Sequence, residues 1–350
     1  MVTAGQGRVT LRDVAERAQV SLATASKVMN SRADVRDSTR TRVAEAAQEL
    51  GYVARRREPP GGQHRLLIVF EDLSSPYALH VLDGAVRAAS RAGYDLQVTV
   101  HSEDDGPAGE ALSREWLQAA ADRGIGAVIA VTHQVDARHA RYSREIGLPI
   151  LVVDPVSTSD TSLVTISATN WEGGQTATGH LLELGHRRIG VVAGPEDSVP
   201  ARQRLQGYRS ALEQAGVPFD PELVRHSSFG YDDGRVAAES LLDLPEPPTA
   251  IFAVADTLAI GVLRTARARD LRVPDGLSVV SFDDTLIATW SNPQLTTVRQ
   301  PLASMGQVAI ERALALASDP GLFAHPFKLE TQLIVRESTA PPAGSEEPGT

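Results

Sequence analysis

The spacing of apolar residues changes character once along this chain, near residue 65. Before that point apolar side chains recur at three- and four-residue intervals. Leu11, Val14, Ala15 and Ala18 fall on one helical face, and Thr10 can cap that helix with Asp13 completing a capping box. A polar break, Gln19-Val20-Ser21, follows. Ser21 starts a second helix whose apolar Leu22, Ala25, Val28 and Met29 turn toward the first. Its other face carries Ala23, Thr24, Ser26, Lys27 and Asn30, short or polar side chains of a size that enters a major groove. A third helix begins at Asp37 or Ser38, buries Val43, Ala46, Ala47 and Leu50, and stops at Gly51. Two readings fit such a pair of short helices: an ordinary helical hairpin, or a helix-turn-helix that reads DNA.

Arg55-Arg56-Arg57 comes next, and then Glu58-Pro59-Pro60-Gly61-Gly62. Two prolines and two glycines cannot continue a helix, so residues 59–64 are expected to be a linker. From Arg65 onward short apolar runs alternate with amphipathic stretches. Strands are predicted at Leu66–Phe70, Leu96–Val100, Ala127–Val131, Ile150–Val153, Ile189–Ala193, Ala250–Val254 and Leu277–Phe282. Helices are predicted at Ala78–Ala92, Glu110–Asp122, Gly173–Leu184, Ala201–Gln214, Gly234–Leu242 and Ala255–Arg269. This alternation specifies an α/β body of doubly wound parallel sheet, too long for one sheet and therefore divided into two lobes with a cleft between them. Asn292–Val298 and Pro301–Ala317 are expected to cross back between lobes. The expected organisation is a helical headpiece over 1–58, the linker, a body over 65–341 and a disordered tail over 342–350, which is rich in Pro, Gly and Glu.

Charge separates the two readings of the first helices. Residues 1–58 hold 11 Lys and Arg against 7 Asp and Glu, while the whole chain carries −10. A basic head on an acidic body suits nucleic-acid binding. There is no cysteine among the 350 residues, which excludes disulfides and thiolate chemistry. No apolar run approaches a membrane span and the first residues lack an apolar signal core, so a cytoplasmic protein with no membrane partner is expected. A dinucleotide-binding enzyme requires a glycine fingerprint just after a strand. The first body strand is followed instead by EDLSSPY, without glycine. There is no G-x-S-x-G elbow, no H-E-x-x-H, and no His and carboxylate cluster at metal spacing. The expectation is a non-enzyme with no cofactor and no metal.

Five stretches resemble the LacI/GalR family of bacterial transcription regulators. They are VTLRDVAERAQVSLATASKVMN, EDLSSPY, TNWEGGQTATGHLLELGHRRIGVVAGP, ADTLAIGVLRTARARDLRVPDGLSVVSFDD and PQLTTVRQPLASMG, in the family's order. The resemblance implies a helix-turn-helix headpiece and a body like that of periplasmic binding proteins. It implies a homodimer on a pseudo-palindromic double-stranded DNA operator, and a small effector bound between lobes; an arginine with acidic and aromatic side chains suits a sugar, although purine-type ligands use similar groups. A solute-binding protein of the same body fold is the alternative, disfavoured by the basic head. By resemblance Leu22 and Ala23 choose operator bases, with Thr24, Ser26, Lys27 and Asn30 on the same helix, and Thr10 and Arg40 position phosphates. Lys27 stands where relatives often have Arg, and a point donor grips guanine less well than a planar fork. The family's hinge leucine is missing, since no Leu occurs between Tyr52 and Leu66. Arg55, Arg56 and Arg57 are expected to contact DNA there instead. For the effector, the resemblance points to Arg202 and Asp283 as polar contacts and to Tyr77 and Phe229 as stacking rings. Asp72 and Asp154 lie just past strand ends, where open α/β sheets bind ligands, although each also reads as a helix cap or loop charge. His186 reads as a structural cap. Asp256 is left doubtful, because relatives often carry Asn before it and this chain has Ala255.

Overall fold

The computed structural model describes residues 11–21, 24–25, 28, 37–50, 65–100, 112–156, 163–319 and 325–343. The chain divides into two compact units, Met1–Pro60 and Gly61–Thr350.

In the first unit α1 (Leu11–Arg17) and α2 (Asp37–Glu49) pack through Val14, Ala15, Ala18, Val43, Ala46 and Ala47, joined by Ala25 and Val28. The 3-and-4 spacing of apolar residues is thus realised as a small core. Gln19 turns the chain with φ 52°, and the Ser21 hydroxyl accepts from the Thr24 amide at 3.1 Å, capping the second helix. Arg17 pairs with Glu49 across the two helices.

The second unit runs β1 (Arg65–Phe70), α3 (Pro76–Ala92), β2 (Asp95–Val100), α4 (Arg114–Asp122), β3 (Ile125–Val131), α5 (Ala137–Ile146), β4 (Ile150–Val153) and β5 (Val164–Ala168). It continues through α6 (Asn170–Glu183), β6 (Ile189–Ala193), α7 (Val199–Gln214), β7 (Val224–His226), α8 (Tyr231–Leu242), β8 (Ala250–Ala253), α9 (Asp256–Ala268), β9 (Ser278–Asp283) and α10 (Leu286–Trp290). It ends with β10 (Thr296–Arg299), α11 (Leu302–Ser318), β11 (Phe327–Leu329) and β12 (Gln332–Ile334). These strands form two six-stranded sheets, ordered β11-β5-β4-β3-β1-β2 and β12-β10-β9-β8-β6-β7. Every neighbouring pair is parallel except β10 with β12. Each order reverses once, β3-β1-β2 and β8-β6-β7, the switch point at which open sheets leave a crevice beyond their carboxyl ends.

The chain passes between lobes three times: from β5 into α6, from β10 into α11, and from β11 into β12. α11 returns to the first lobe, where Met305, Ala309, Ile310 and Ala313 join Val81, Ala85 and Ala88 of α3 in one core. The two helices approach so closely that a Cβ on Gly84 would sit 1.8 Å from the Ala303 carbonyl oxygen. The crossing expected within Asn292–Val298 falls later. Those residues build β10 inside the second sheet, and the chain leaves that lobe at Gln300-Pro301.

Among the described residues the helices expected from apolar spacing form, with ends shifted by a few residues. α4 starts at Arg114, where Ser113 accepts from the Trp116 amide at 3.2 Å. Residues 101–111 lie outside the described residues, as do the linker over 59–64 and the end of the tail. α5 was not expected, because ARHARYSREI fully buries just Ala140 and Ser143 and so has no apolar stripe. The strands β5, β7, β11 and β12 are three to five residues long and too short to carry a period.

Replacing Gly84 with Val should force α3 and α11 apart. The overpacking is expected to destabilise the body by about 1–3 kcal/mol or more, read as a lower melting temperature, whereas Val at the open Gly179 should cost less than half of that.

Candidate functional site

The carboxyl ends of both sheets bring a set of polar side chains together. Asp154 follows β4 with φ 48°, and its buried carboxylate accepts from the Tyr77 hydroxyl at 2.6 Å and from the Ser167 hydroxyl. Asn170, at the start of α6, donates to Ser167 Oγ at 3.0 Å. Its Oδ1 accepts from Arg204 Nε at 2.8 Å. Arg204 Nη1 then donates to the Val254 carbonyl at 2.6 Å and reaches Asp283 Oδ1 at 3.5 Å. The guanidinium lies over the Phe282 ring, 3.9 Å from its centroid. Gln300 Nε2 donates to Asp283 Oδ1 at 2.6 Å, and Gln300 Oε1 is buried without a hydrogen-bond partner. One polar relay therefore runs from Tyr77 and Asp154 in the first lobe to Arg204, Asp283 and Gln300 in the second.

Electrostatics follow from burial. Desolvation pushes the Asp283 carboxyl up to about 7; Arg204 opposes that, while Asp256 and Asp154 add to it as like charges. Desolvation also raises Asp154 against the hydrogen bonds from Ser167 and Tyr77. It raises the Tyr77 hydroxyl well above its usual value, helped by the Asp154 charge. Asp256 is raised too, again by desolvation. It accepts from Ser281 Oγ at 2.6 Å, from the Thr285 amide and hydroxyl at 2.7 and 2.8 Å, and from Thr297 Oγ1 at 3.1 Å. With four donors, Asp256 ties α9 to β9 and β10. Asp283 holds φ 110°, a strained value for a residue with a side chain.

The residues expected at the cleft divide. Tyr77, Asp154 and Asp283 come together as described. The Tyr77 phenol takes part through its hydroxyl, which donates to Asp154. The Phe229 ring is 38% exposed and lies over Gly194 just beyond β6, where a Cβ would meet it at 2.6 Å. Asp72 is exposed and holds the turn into α3, accepting from the Ser74 amide at 2.6 Å and the Ser75 amide at 3.2 Å. Arg202 requires correction. It is exposed and donates to the Glu196 carbonyl at 3.2 Å, whereas the cleft arginine is Arg204, 4% exposed. Residues two apart on a helix do not share a face. Sequence reasoning also missed Asn170, Ser167 and Gln300. His186 bridges Thr249 Oγ1 at 2.8 Å and the Ala340 carbonyl at 2.9 Å, a structural role. Among the expected DNA contacts, Thr24 is partly exposed beside its capping serine. Thr10, Leu22, Ala23, Ser26, Lys27, Asn30, Arg55, Arg56 and Arg57 lie outside the described residues, as does the side chain of Arg40. Among the described residues no group of His, Asp or Glu could hold a metal, and no helix is long and apolar enough to cross a membrane.

A helical head joined to a two-lobed parallel-sheet body, with polar groups from both lobes meeting in the cleft, defines the class: a helix-turn-helix regulator with a binding-protein body. The profile of the bacterial regulatory proteins, lacI family, matches residues 10–54, and that of the periplasmic binding protein-like domain matches 178–339. The HTH-type transcriptional repressor CytR of Escherichia coli K12 is 29% identical, covering 94% of this chain and 96% of its own. The HTH-type transcriptional regulator CelR of Thermobifida fusca is 33% identical over 95% of this chain and 98% of its own. A solved structure of a CelR–cellobiose complex superposes with a TM-score of 0.71 at 32% identity, covering 95% of this chain and all of that one. The chain belongs to the lacI family of bacterial regulatory proteins, and it is a helix-turn-helix transcriptional regulator.

Two measurements test the site. Arg204→Ala leaves the buried carboxylates without their cation and should destabilise the body by about 3–5 kcal/mol, while Arg202→Ala should stay within about 0.5 kcal/mol. Equal melting temperatures for the two variants contradict the placement. The second concerns pH. The folded pKa of Asp283, about 7, lies above its unfolded value, so the folded state holds the proton more tightly. The stability this gives is complete below about pH 4 and is lost as pH rises to about 7. Asp283→Asn should flatten that fall, so the difference in urea midpoint between variant and wild type should move in the variant's favour from pH 5 to pH 8.

Proposed function

We propose that this regulator is a repressor, and not an enzyme, that binds a pseudo-palindromic operator as a homodimer in the cytoplasm. A small carbohydrate effector bound between the lobes sets its operator affinity. The observation that carries this reading is the relay from Tyr77 through Asp154, Ser167, Asn170 and Arg204 to Asp283 and Gln300. Its members belong to both lobes, and two of them flank crossings between the lobes. A ligand that exchanges hydrogen bonds with this relay acts on the lobe closure directly. Hydroxyl groups suit it, since carboxylates and an amide oxygen accept while Arg204 donates. The relative solved with cellobiose supports a sugar.

The basic head supports DNA as the partner. Exposed apolar side chains support a second copy. Leu79 and Val86 on α3 and Val98 and Val100 on β2 lie in the first lobe, and Leu286 and Trp290 on α10 lie in the second. Trp290 is 76% exposed, with Tyr231, Ile260 and Ile287 beside it around a surface hollow. A two-fold dimer buries such patches against themselves and presents two heads to two half-sites. The expected domain plan, with a head over 1–58 and a body over 65–341, fits this use of the chain.

In vitro selection from random duplexes should recover inverted repeats, with affinity falling steeply as salt rises. Lys27→Ala should cost about 1–3 kcal/mol and relax one base position in each half-site. Uniform loss on all sequences assigns Lys27 to a phosphate instead. Trp290→Asp should shift the sedimentation coefficient toward monomer and abolish binding to the full repeat. A dimer unchanged by that substitution contradicts the assigned surface.

A further inference from the structure

The charge inventory of the cleft restricts its ligand further, given the reading of a carbohydrate effector on which this step rests. Asp154, Asp256 and Asp283 are 3%, 1% and 7% exposed, against one equally buried cation, Arg204 at 4%. That guanidinium is already engaged. Nε donates to Asn170, Nη1 to Val254 and Asp283, and one face covers Phe282. Carboxylates and phosphates are held best by two parallel N–H groups of an arginine fork. With Nε and Nη1 turned to protein acceptors, Arg204 retains Nη2 and presents no fork. An anionic ligand would also enter beside carboxylates in a medium that screens poorly, where like charges repel strongly.

The acceptors tell the same story from the opposite side. Asp154 and Asp283 offer carboxylate oxygens at the two walls, and Gln300 Oε1 is a buried acceptor with no donor. A buried acceptor without a partner is costly, and a ligand O–H relieves it. At the rim the exposed Phe229 ring over Gly194 offers a flat apolar face of the kind on which the C–H side of a sugar ring stacks. We propose that the cleft accepts hydroxyl-rich ligands that carry no negative charge, and excludes sugar acids, sugar phosphates and nucleotides.

The test is a matched panel measured on the full-length chain by thermal shift and calorimetry. It pairs cellobiose with cellobionate, glucose with glucuronate and glucose 6-phosphate, galactose with galacturonate, and ribose with ribose 5-phosphate. At least one uncharged member should bind, with its anionic counterpart at least about ten-fold weaker, one ten-fold step corresponding to about 1.4 kcal/mol. Asp283→Asn should narrow that ratio at pH 8, where the Asp283 carboxyl is ionised, by removing a repelling charge. Should this variant fail to fold, Asp154→Asn supplies the same comparison at the other wall. An anionic sugar that binds as tightly as its neutral partner, and loses that binding in Asp154→Asn, overturns the charge selection while leaving the carbohydrate cleft intact. A panel in which nothing binds overturns the carbohydrate reading itself, and the charge selection with it.

Discussion

A buried positive charge organises the second unit of this protein. Taking the Arg204 guanidinium out of water costs several kcal/mol unless its donors and its charge find partners. The sequence answers with an amide oxygen from Asn170, a backbone carbonyl from Val254, the Asp283 carboxylate and the Phe282 ring face. None of these lies on the helix that carries Arg204. They come from α6, from the end of β8 and from β9, so burying this side chain requires those elements to be in register at the cleft floor. Asn170 in turn reaches Ser167, which donates to Asp154. The partners of one arginine in the second lobe thereby include the first lobe.

The crossings between lobes lie within this same network. Thr169 and Thr331, on two of the three connections, are joined by their hydroxyls at 3.0 Å and by the Thr331 amide to Thr169 Oγ1 at 3.0 Å. Gln300, on the third, bonds Asp283 through its amide side chain, and its backbone N–H donates to the Asp283 carbonyl at 3.2 Å. The relay and the crossings between lobes therefore share residues or immediate neighbours: Asn170 follows Thr169, and Gln300 belongs to both. On the proposed function, a ligand in the cleft needs no long chain of intermediaries to act on the lobe angle. Thermodynamics still limits the effect to the difference in affinity between the two lobe arrangements. On the same reading, a ligand held by groups of both lobes gains such a difference, because opening the cleft takes one set away from it.

Much of this architecture was legible in the sequence, and the failures have physical causes. Long stretches with apolar residues at three- and four-residue spacing became helices, and uninterrupted apolar runs became central strands, since both are buried by a parallel sheet covered on two faces. Elements without an apolar signature escaped: α5, whose surface is mainly arginine and other polar groups, and the edge strands of three residues. At the site, Asp154 followed from its place past a strand end and Asp283 from the family motif, whereas Asp72, read in the same way as Asp154, holds the turn into α3. The arginine did not follow, because a motif read as a string ignores helical phase. Arg204 lies four residues before Tyr208 and seven before Ala211, both buried, whereas Arg202 lies seven before the outward Arg209. A charged residue in phase with a buried stripe was the available signal. Gly207, whose Cβ would come within 2.1 Å of the Trp171 carbonyl oxygen, marks the same closely packed face.

Strain and desolvation fall on the same residues, and this bears on how the cleft works. Asp154 and Asp283 both have positive φ, and burial raises both carboxyls. Backbone strain and a penalised charge persist where surrounding structure over-determines them. Here the surrounding structure is the hydrogen-bond relay, which gives each aspartate donors and leaves Gln300 Oε1 without one. On the proposed function, hydroxyl donors added to this cleft offset part of that cost. The acidic excess of the cleft is, on that reading, what a bound hydroxyl donor relieves, and occupancy biases the lobe arrangement through it.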